Sequence, residues 1–241
     1  MGGTEEKGQE TFLECESSRV FALLMMSSGL LGAFTYLLRG GVFCNAQTGN
    51  IVLFGLALGQ AQLGRAAYLL IPITAYWLGA VVSEILPVPV RRAGLLRWDT
   101  WLVGFEILVT VLLGFLPESA PFQISQVAIN FICSMQYNTF RQAEGVPMST
   151  TFCTNNLRQV GIHMVKWVKK GSAASLQRSL RYGGSLVMFV LGAALGAVLC
   201  RFFAGRAIWG SSLLLLIVFA DLMYADRIRE KGKLEQVPRG H

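Results

Sequence analysis

The chain has 241 residues, of which 53% are hydrophobic and 15% charged, against about 25% charged in an ordinary soluble domain. That excludes an ordinary soluble protein and marks a membrane composition. The net charge of +7, which in a soluble protein points to nucleic acid, is informative here through where the charges fall, and no nucleic-acid partner is expected.

Residues 1–18 are acidic and polar, and no basic stretch leads into a short apolar core, so the segment resembles neither a signal peptide nor a transit peptide. It is expected to be a disordered tail. Charge-free apolar runs at 20–38, 66–82 and 183–200 approach or reach the roughly 20 residues that cross a hydrocarbon core. Runs at 101–117 and 208–224 are each interrupted by a single acid, Glu106 and Asp221. In chain order the pattern predicts helices at 19–38, 51–64, 65–86, 100–117, 122–141, 156–170, 177–201 and 206–227. Those at 51–64 and 156–170 are too short or too polar to span alone. The expected fold is all-α, one polytopic membrane domain over 19–227 followed by a basic tail at 228–241.

Between the first two predicted helices lies "FCNAQTGNIVLFG", which places Asn45, Gln47, Thr48, Gly49 and Asn50 between apolar segments. A second polar break precedes the helix at 156–170. Setting Thr48 against Thr154, a shift of 106 residues, aligns Ala22 with Ala128, Ser28 with Ser134, Phe34 with Phe140, Asn50 with Asn156 and Gly55 with Gly161. After a seven-residue insertion, "WLGAVVSEIL" (77–86) lies over "VLGAALGAVL" (190–199). The order of features is given twice: long span, polar break, short helix, long span with Leu-Gly-Ala, long span. An internal repeat is expected, one copy over about 19–117 and the other over about 122–227.

Cytoplasmic loops collect Lys and Arg, which chooses between two topologies. If both short helices cross, seven basic loop residues (Arg65, Arg158, Lys166, Lys169, Lys170, Arg178, Arg181) face seven others (Arg39, Arg91, Arg92, Arg97, Arg141, Arg201, Arg206). If each short helix enters and leaves on one side, ten of these residues share one side and only Arg39, Arg65, Arg201 and Arg206 lie opposite. The bias favours six transmembrane helices with both termini cytoplasmic in the cell membrane. Three crossings per copy insert the second upside down relative to the first, the inverted-repeat plan of many transporters. The two short helices then enter from opposite sides, with their polar N-termini meeting near mid-membrane.

The stretch "GGVFCNAQTGNIVLFGLAL" (40–58), after a first span and before a short helix, resembles the YoaK-like family of multi-pass membrane proteins, a domain of unknown function. The likeness extends over roughly 19–227. It implies an integral membrane protein and brings no established substrate or catalytic residue. In the second copy, "Thr154-Asn155-Asn156", Asn155 stands where the repeat would put a glycine. Asparagine is the non-glycine residue that best tolerates a left-handed backbone.

Thr, Asn and Gly suit a helix start, where four N–H groups lack partners. Within hydrocarbon those groups must be buried in protein or line a water-filled cavity, and the positive end of the helix favours an anion or a dipole. Facing half-helix N-termini at Asn45, Gln47, Thr48, Gly49 and Asn50 and at Thr154, Asn155 and Asn156 therefore suggest a solute site. The alternative is a re-entrant element that caps itself and only packs. The predicted helix 122–141 adds a partly polar face in which Gln126, Asn130, Cys133 and Tyr137 recur at helical spacing, opposite Ser27, Ser28 and Thr35 in the repeat partner. Polar helix–helix contacts are the alternative to a water-lined path there.

An ionisable group within a span is a functional hypothesis by default. Glu84 and Asp221 lie near span ends and are expected to be solvated or ion-paired. Glu106 lies deeper, with no basic residue close in sequence, and is the candidate for proton coupling. His163 is expected to be interfacial. The run Lys166–Lys170 with Trp167 is expected to anchor at the surface of the lipid bilayer. Gly79-Ala80, Gly192-Ala193 and Gly196-Ala197 allow close helix approach, either within the chain or in a homo-oligomer. The cysteines Cys15, Cys44, Cys133, Cys153 and Cys200 show no C-x-x-C spacing and suit packing. With only His163 and His241 as histidines, no metal or cofactor is expected. Hydrolase, metalloprotease and phosphate-loop signatures are not present, and no catalytic residue is assigned. The leading expectation is a secondary transporter or channel for a small polar or anionic solute. The other is a structural or regulatory membrane protein that binds a lipid or partner.

Overall fold

The computed structural model describes residues 12–238. Of the tail expected to be disordered over residues 1–18, residues 1–11 lie outside the described residues, whereas residues 12–17 are ordered against the bundle, with Leu13, Cys15 and Glu16 buried. Nine α-helices and one two-residue-per-strand hairpin make up the described chain. Helix α1 (Ser18–Leu38) starts where the Ser17 hydroxyl accepts from the amide of Val20 at 3.2 Å. It ends at Gly40 and Gly41, whose φ angles of 85° and 70° only glycine adopts without strain.

A polar break leads to α2 (Gln47–Gly59), which turns into α3 (Leu63–Ile85). Pro87 opens the short α4 (Pro87–Ala93), a position where its missing N–H costs no helical bond. Then come α5 (Trp98–Gly114) and α6 (Phe122–Thr139). The hairpin of β1 (Gln142–Ala143) and β2 (Val146–Pro147) turns at Glu144 and Gly145, both at positive φ, as its two-residue loop requires. A second break precedes α7 (Thr154–Lys170), followed by α8 (Ala173–Phe203) and α9 (Trp209–Tyr224).

Three described stretches are long and apolar enough to cross a membrane: Ser18–Leu38, Leu63–Ile85 and Ala173–Arg229, the last comprising α8 and α9 with the tight turn between them. Helix α5, at 17 residues, falls short in length, and α6 carries several polar side chains.

The closest pairings are α1 with α8 and α3 with α6; α2 lies along α3, α7 along α8, and α5 along α9. Small residues make these approaches. A Cβ on Gly192 would lie 1.9 Å from the carbonyl oxygen of Met26, and one on Gly79 would lie 2.4 Å from that of Phe131. The glycines of the two Leu-Gly-Ala motifs thus bring α8 against α1 and α3 against α6. The glycine of Gly192-Ala193 and that of Gly196-Ala197 both pack within the chain, the latter on Leu30.

Both described terminal segments lie at one end of the bundle. There Arg97, nearly fully buried, pairs with Asp226 at 3.6 Å and Glu230 at 2.9 Å, while Thr100 donates to Asp226 at 2.8 Å. Glu14 joins Arg229 at 2.8 Å and its amide donates to Glu230 at 2.9 Å. The acids Glu84 and Asp221 pair with Arg141 and Arg19, each at 3.2 Å, as their place near span ends led us to expect.

Apart from a small cluster of Ala57, Ala66 and Leu69 between α2 and α3, the apolar core of the described residues falls into two clusters. One, toward the terminal end, includes Phe21, Leu24, Leu102, Met135 and Leu215; the other, toward the far end, includes Leu31, Phe34, Leu113, Ile129 and Ile208. Between them at mid-height lie buried polar residues: Ser27 and Ser28 in α1, Glu106 in α5, Ser134 in α6, and Ser211 and Ser212 in α9. Ser27 and Ser211 share a hydrogen bond of 2.7 Å, and Ser212 donates to Thr110 at 2.8 Å.

Candidate functional site

The two breaks converge on the middle of α1. From the first, Asn45 Nδ2 donates to the carbonyl oxygen of Ser28 at 3.2 Å. From α6, Gln136 Nε2 donates to the Ser28 hydroxyl at 3.2 Å and reaches the carbonyl oxygen of Thr150, in the second break, at 3.5 Å. Ser28 and Gln136 therefore bridge the breaks.

Around the start of α2 the polar groups form a connected file. Gln47 Nε2 donates to Asn130 Oδ1, and Asn50 Nδ2 donates to Gln47 Oε1 at 3.0 Å. Asn130 Nδ2 donates to the carbonyl oxygen of Gln126 at 2.7 Å. Gln126 Nε2 donates to that of Arg39 at 2.7 Å, and Tyr68 donates to Gln126 Oε1 at 3.1 Å. Gln126 and Asn130 thus meet the first break directly.

At the second break Asn156 holds the chain in place: its Oδ1 accepts from the Ser149 amide at 3.2 Å, and its Nδ2 donates to the Ser149 carbonyl at 3.0 Å and the Ser185 hydroxyl at 3.2 Å. Asn50 and Asn156, which align at a shift of 106 residues, are both buried in the first turn of their helices. Thr150 and Thr151 are fully buried, and their hydroxyls have no hydrogen-bond partner among the described residues.

Several expectations need correction in detail. Helix α2 begins at Gln47, so Thr48, Gly49 and Asn50 form its first turn instead of preceding it. Successive residues of a helical turn point to different sides, and Thr48, Gly49 and Thr154 are exposed while Asn50 and Asn156 are buried. Neither Gly49 nor Asn155 has positive φ, because both sit in helical turns; the left-handed positions of the first break are Gly40 and Gly41. Asn155 is half-buried and accepts from Arg158 at 3.0 Å. The polar face of α6 runs through Gln126, Asn130, Cys133 and Gln136. Tyr137, at the same spacing, is 39% exposed and packs on Phe152. His163 is buried against Tyr182, ring on ring at 5.9 Å.

The sequence reading missed Gln136, Ser149, Thr150, Thr151 and Tyr68. The expected repeat carried a signal for two of them, since the shift of 106 places Cys44 on Thr150 and Asn45 on Thr151.

Glu106 sits in the mid-height layer, 1% exposed, and neither carboxyl oxygen has a hydrogen-bond partner among the described residues. An isolated charge in such a place costs several kcal/mol, so an ionised Glu106 has to find a cation or a proton. A cavity of about 310 Å³ opens beside the second break, lined by Asn138, Arg141, Ser149 and Asn155 among others. Among the described residues no group of His, Cys, Asp and Glu is placed to hold a metal ion.

The contact between Gln47 and Asn130 can be measured. Gln47→Ala and Asn130→Ala should each cost about 1–2 kcal/mol, and the double variant should cost less than their sum because the lost bond is shared. Thr48→Ala and Thr154→Ala should stay within about 0.5 kcal/mol. Unfolding of purified protein in mild detergent, titrated with a denaturing detergent, reads all five variants.

Long apolar helices joined by close glycine contacts, with a polar layer sealed inside, define an integral membrane protein. The chain belongs to the family described as "Protein of unknown function (DUF1275)", which matches residues 20–220. It is 22% identical over 214 residues to the UPF0700 transmembrane protein YoaK of Bacillus subtilis (strain 168), a match covering 86% of this chain and 92% of that protein. No solved structure matches.

Proposed function

We propose that the protein is a non-enzymatic secondary transporter or channel of the cell membrane for a small polar or anionic solute, built from two inverted repeats of three crossings each. Exchanging α1 with α6, α2 with α7, α3 with α8 and α5 with α9 carries the observed pairings into one another, which supports the repeat. Helix α2 runs from mid-height toward the far end and α7 from mid-height toward the terminal end, as inverted half-helices should. The bias of the loop charges supports both termini in the cytoplasm.

The observation that carries the reading is the buried polar layer, with the side-chain oxygens of Glu106, Thr150 and Thr151 unpartnered among the described residues. Buried polar groups cost free energy unless they are bonded, so keeping three without partners in a membrane domain argues for a use. Glu106 is the group that takes up a proton during the cycle, and the amides of Asn50, Asn130 and Asn156 exchange protein partners for solute when the junction opens.

A second reading, a structural or regulatory membrane protein that binds a lipid or partner, is supported by the way Asn45, Gln47 and Asn50 direct their side-chain amides to protein acceptors. Transport by purified protein in liposomes separates the two. Uptake of acetate, phosphate or urea is expected, and Glu106→Gln should abolish its response to a pH gradient. If no solute moves, and Asn50→Ala and Asn156→Ala leave every measured property unchanged, the second reading holds.

A further inference from the structure

At the far end of the bundle the first helix terminates in a buried cation. Arg39 is 4% exposed. Its Nε donates to the Ser125 hydroxyl at 3.1 Å and its Nη1 to the Leu38 carbonyl at 3.1 Å, while the guanidinium lies over the Phe34 ring at 5.1 Å. The remaining nitrogen, Nη2, is buried and has no hydrogen-bond partner among the described residues, and none of their carboxylates pairs with Arg39.

A guanidinium stays charged at any relevant pH. Buried without a counter-ion it costs several kcal/mol, which a hydrocarbon side chain in its place would avoid. The fork of N–H groups fits the two oxygens of a carboxylate or phosphate, and two of its nitrogens are already oriented by Ser125 and Leu38. Gly205 faces the open nitrogen; a Cβ there would lie 3.3 Å from Nη2. The nearest acid in electrostatic reach is Glu118, exposed on the loop after α5.

Arg39 also stands at the head of the polar file, because its carbonyl accepts from Gln126, which leads through Asn130 to Gln47 and Asn50. Arg201 and Arg206, stacked on Phe202 and Trp209 near the same end, add to a positive field that draws anions inward.

We infer that Arg39 is the binding residue for a small oxyanion, a carboxylate or a phosphate, at the far end of the polar file, with Nη2 as its open donor. The inference rests on the transport reading for the ligand's onward path, but the site itself does not. A neutral polar solute has no need of a buried cation, so the solute is an anion.

The test is the melting temperature of purified protein in nanodiscs, titrated with acetate, with inorganic phosphate, or with urea, at ionic strength held with sodium chloride. Acetate or phosphate is expected to raise it saturably and urea to leave it unchanged. Arg39→Gln should weaken the response at least tenfold, Arg39→Lys less so, and Glu118→Gln should leave it equal or tighter. Gly205→Ala, which crowds Nη2 without touching a charge, should weaken it as well. The inference is overturned if neither anion stabilises the wild-type protein, if Arg39→Gln responds like wild type, or if only phosphatidylglycerol in the disc stabilises it, which would assign the guanidinium to a headgroup. Liposome uptake is read separately. Binding of the anion without uptake keeps the anion site and removes transport, whereas uptake of urea without anion binding keeps transport and removes the anion site.

Discussion

Replacing Gly192 by leucine should destabilise the fold by about 3 kcal/mol or more, the upper range for overpacking a filled contact. The Cβ of any residue there would lie 1.9 Å from the carbonyl oxygen of Met26 and 2.8 Å from its Cα, which is backbone and cannot swing aside. Helices α1 and α8 form the most extensive pair in the bundle, so separating them opens the core on both sides of the polar layer. Gly79→Leu should behave alike at the α3–α6 contact, since its Cβ would lie 2.4 Å from the Phe131 carbonyl. Gly55→Ala and Gly161→Ala are the controls. Nothing lies within 4 Å of a Cβ at either, and alanine favours a helix over glycine by up to about 1 kcal/mol. The ranking is read from unfolding in a denaturing-detergent titration, and a Gly192→Leu protein as stable as wild type would refute the close packing.

The second large effect concerns the terminal end. Arg97→Met should cost about 3–5 kcal/mol, the usual consequence of removing one partner from a buried ion pair. The side chains of Arg97 and Asp226 are 3% and 2% exposed, so Asp226 would be left with only the Arg97 amide and the Thr100 hydroxyl. Arg97 also donates to the carbonyl of Lys233 at 3.1 Å and pairs with Glu230, and its loss should free the C-terminal segment for proteolysis. Arg141→Met is the contrast. It pairs with Glu84, whose side chain is 72% exposed, and exposed pairs contribute less than about 1 kcal/mol. Equal stability of the Arg97 and Arg141 variants would contradict the assignment of the buried network.

Much of this architecture was legible because helical periodicity, apolar length and glycine spacing are local properties of a sequence. The long helices fall within a few residues of expectation, and the Leu-Gly-Ala motifs mark real helix contacts. Boundaries set by backbone geometry were less legible. Helix α2 starts four residues early because Gly40 and Gly41 complete the turn before it, leaving Thr48 and Gly49 free to join its first turn. The Glu144-Gly145 hairpin and the proline-started α4 are short features that apolar periodicity does not register.

At the site, Asn45, Gln47, Asn50, Gln126, Asn130 and Asn156 stood out as polar residues in apolar surroundings, and they are buried or half-buried and hydrogen-bonded. Gln136, Thr150 and Thr151 did not, because their significance depends on the approach of α6 and the second break to the middle of α1, which is a tertiary fact. Arg39 looked like an ordinary loop charge. Only its burial between α1 and α6, with one nitrogen left open, sets it apart.

The inverted six-crossing plan is tested most directly by single cysteines in a background where the five native cysteines are replaced. Ala93→Cys, Lys169→Cys and Gln60→Cys lie at exposed positions and can be probed in intact cells with a reagent that does not cross membranes. Six crossings predict that Gln60→Cys labels from outside while Ala93→Cys and Lys169→Cys both label only after the cells are opened. Labelling of Ala93→Cys and Lys169→Cys from opposite sides would make both short helices full crossings and remove the inverted repeat.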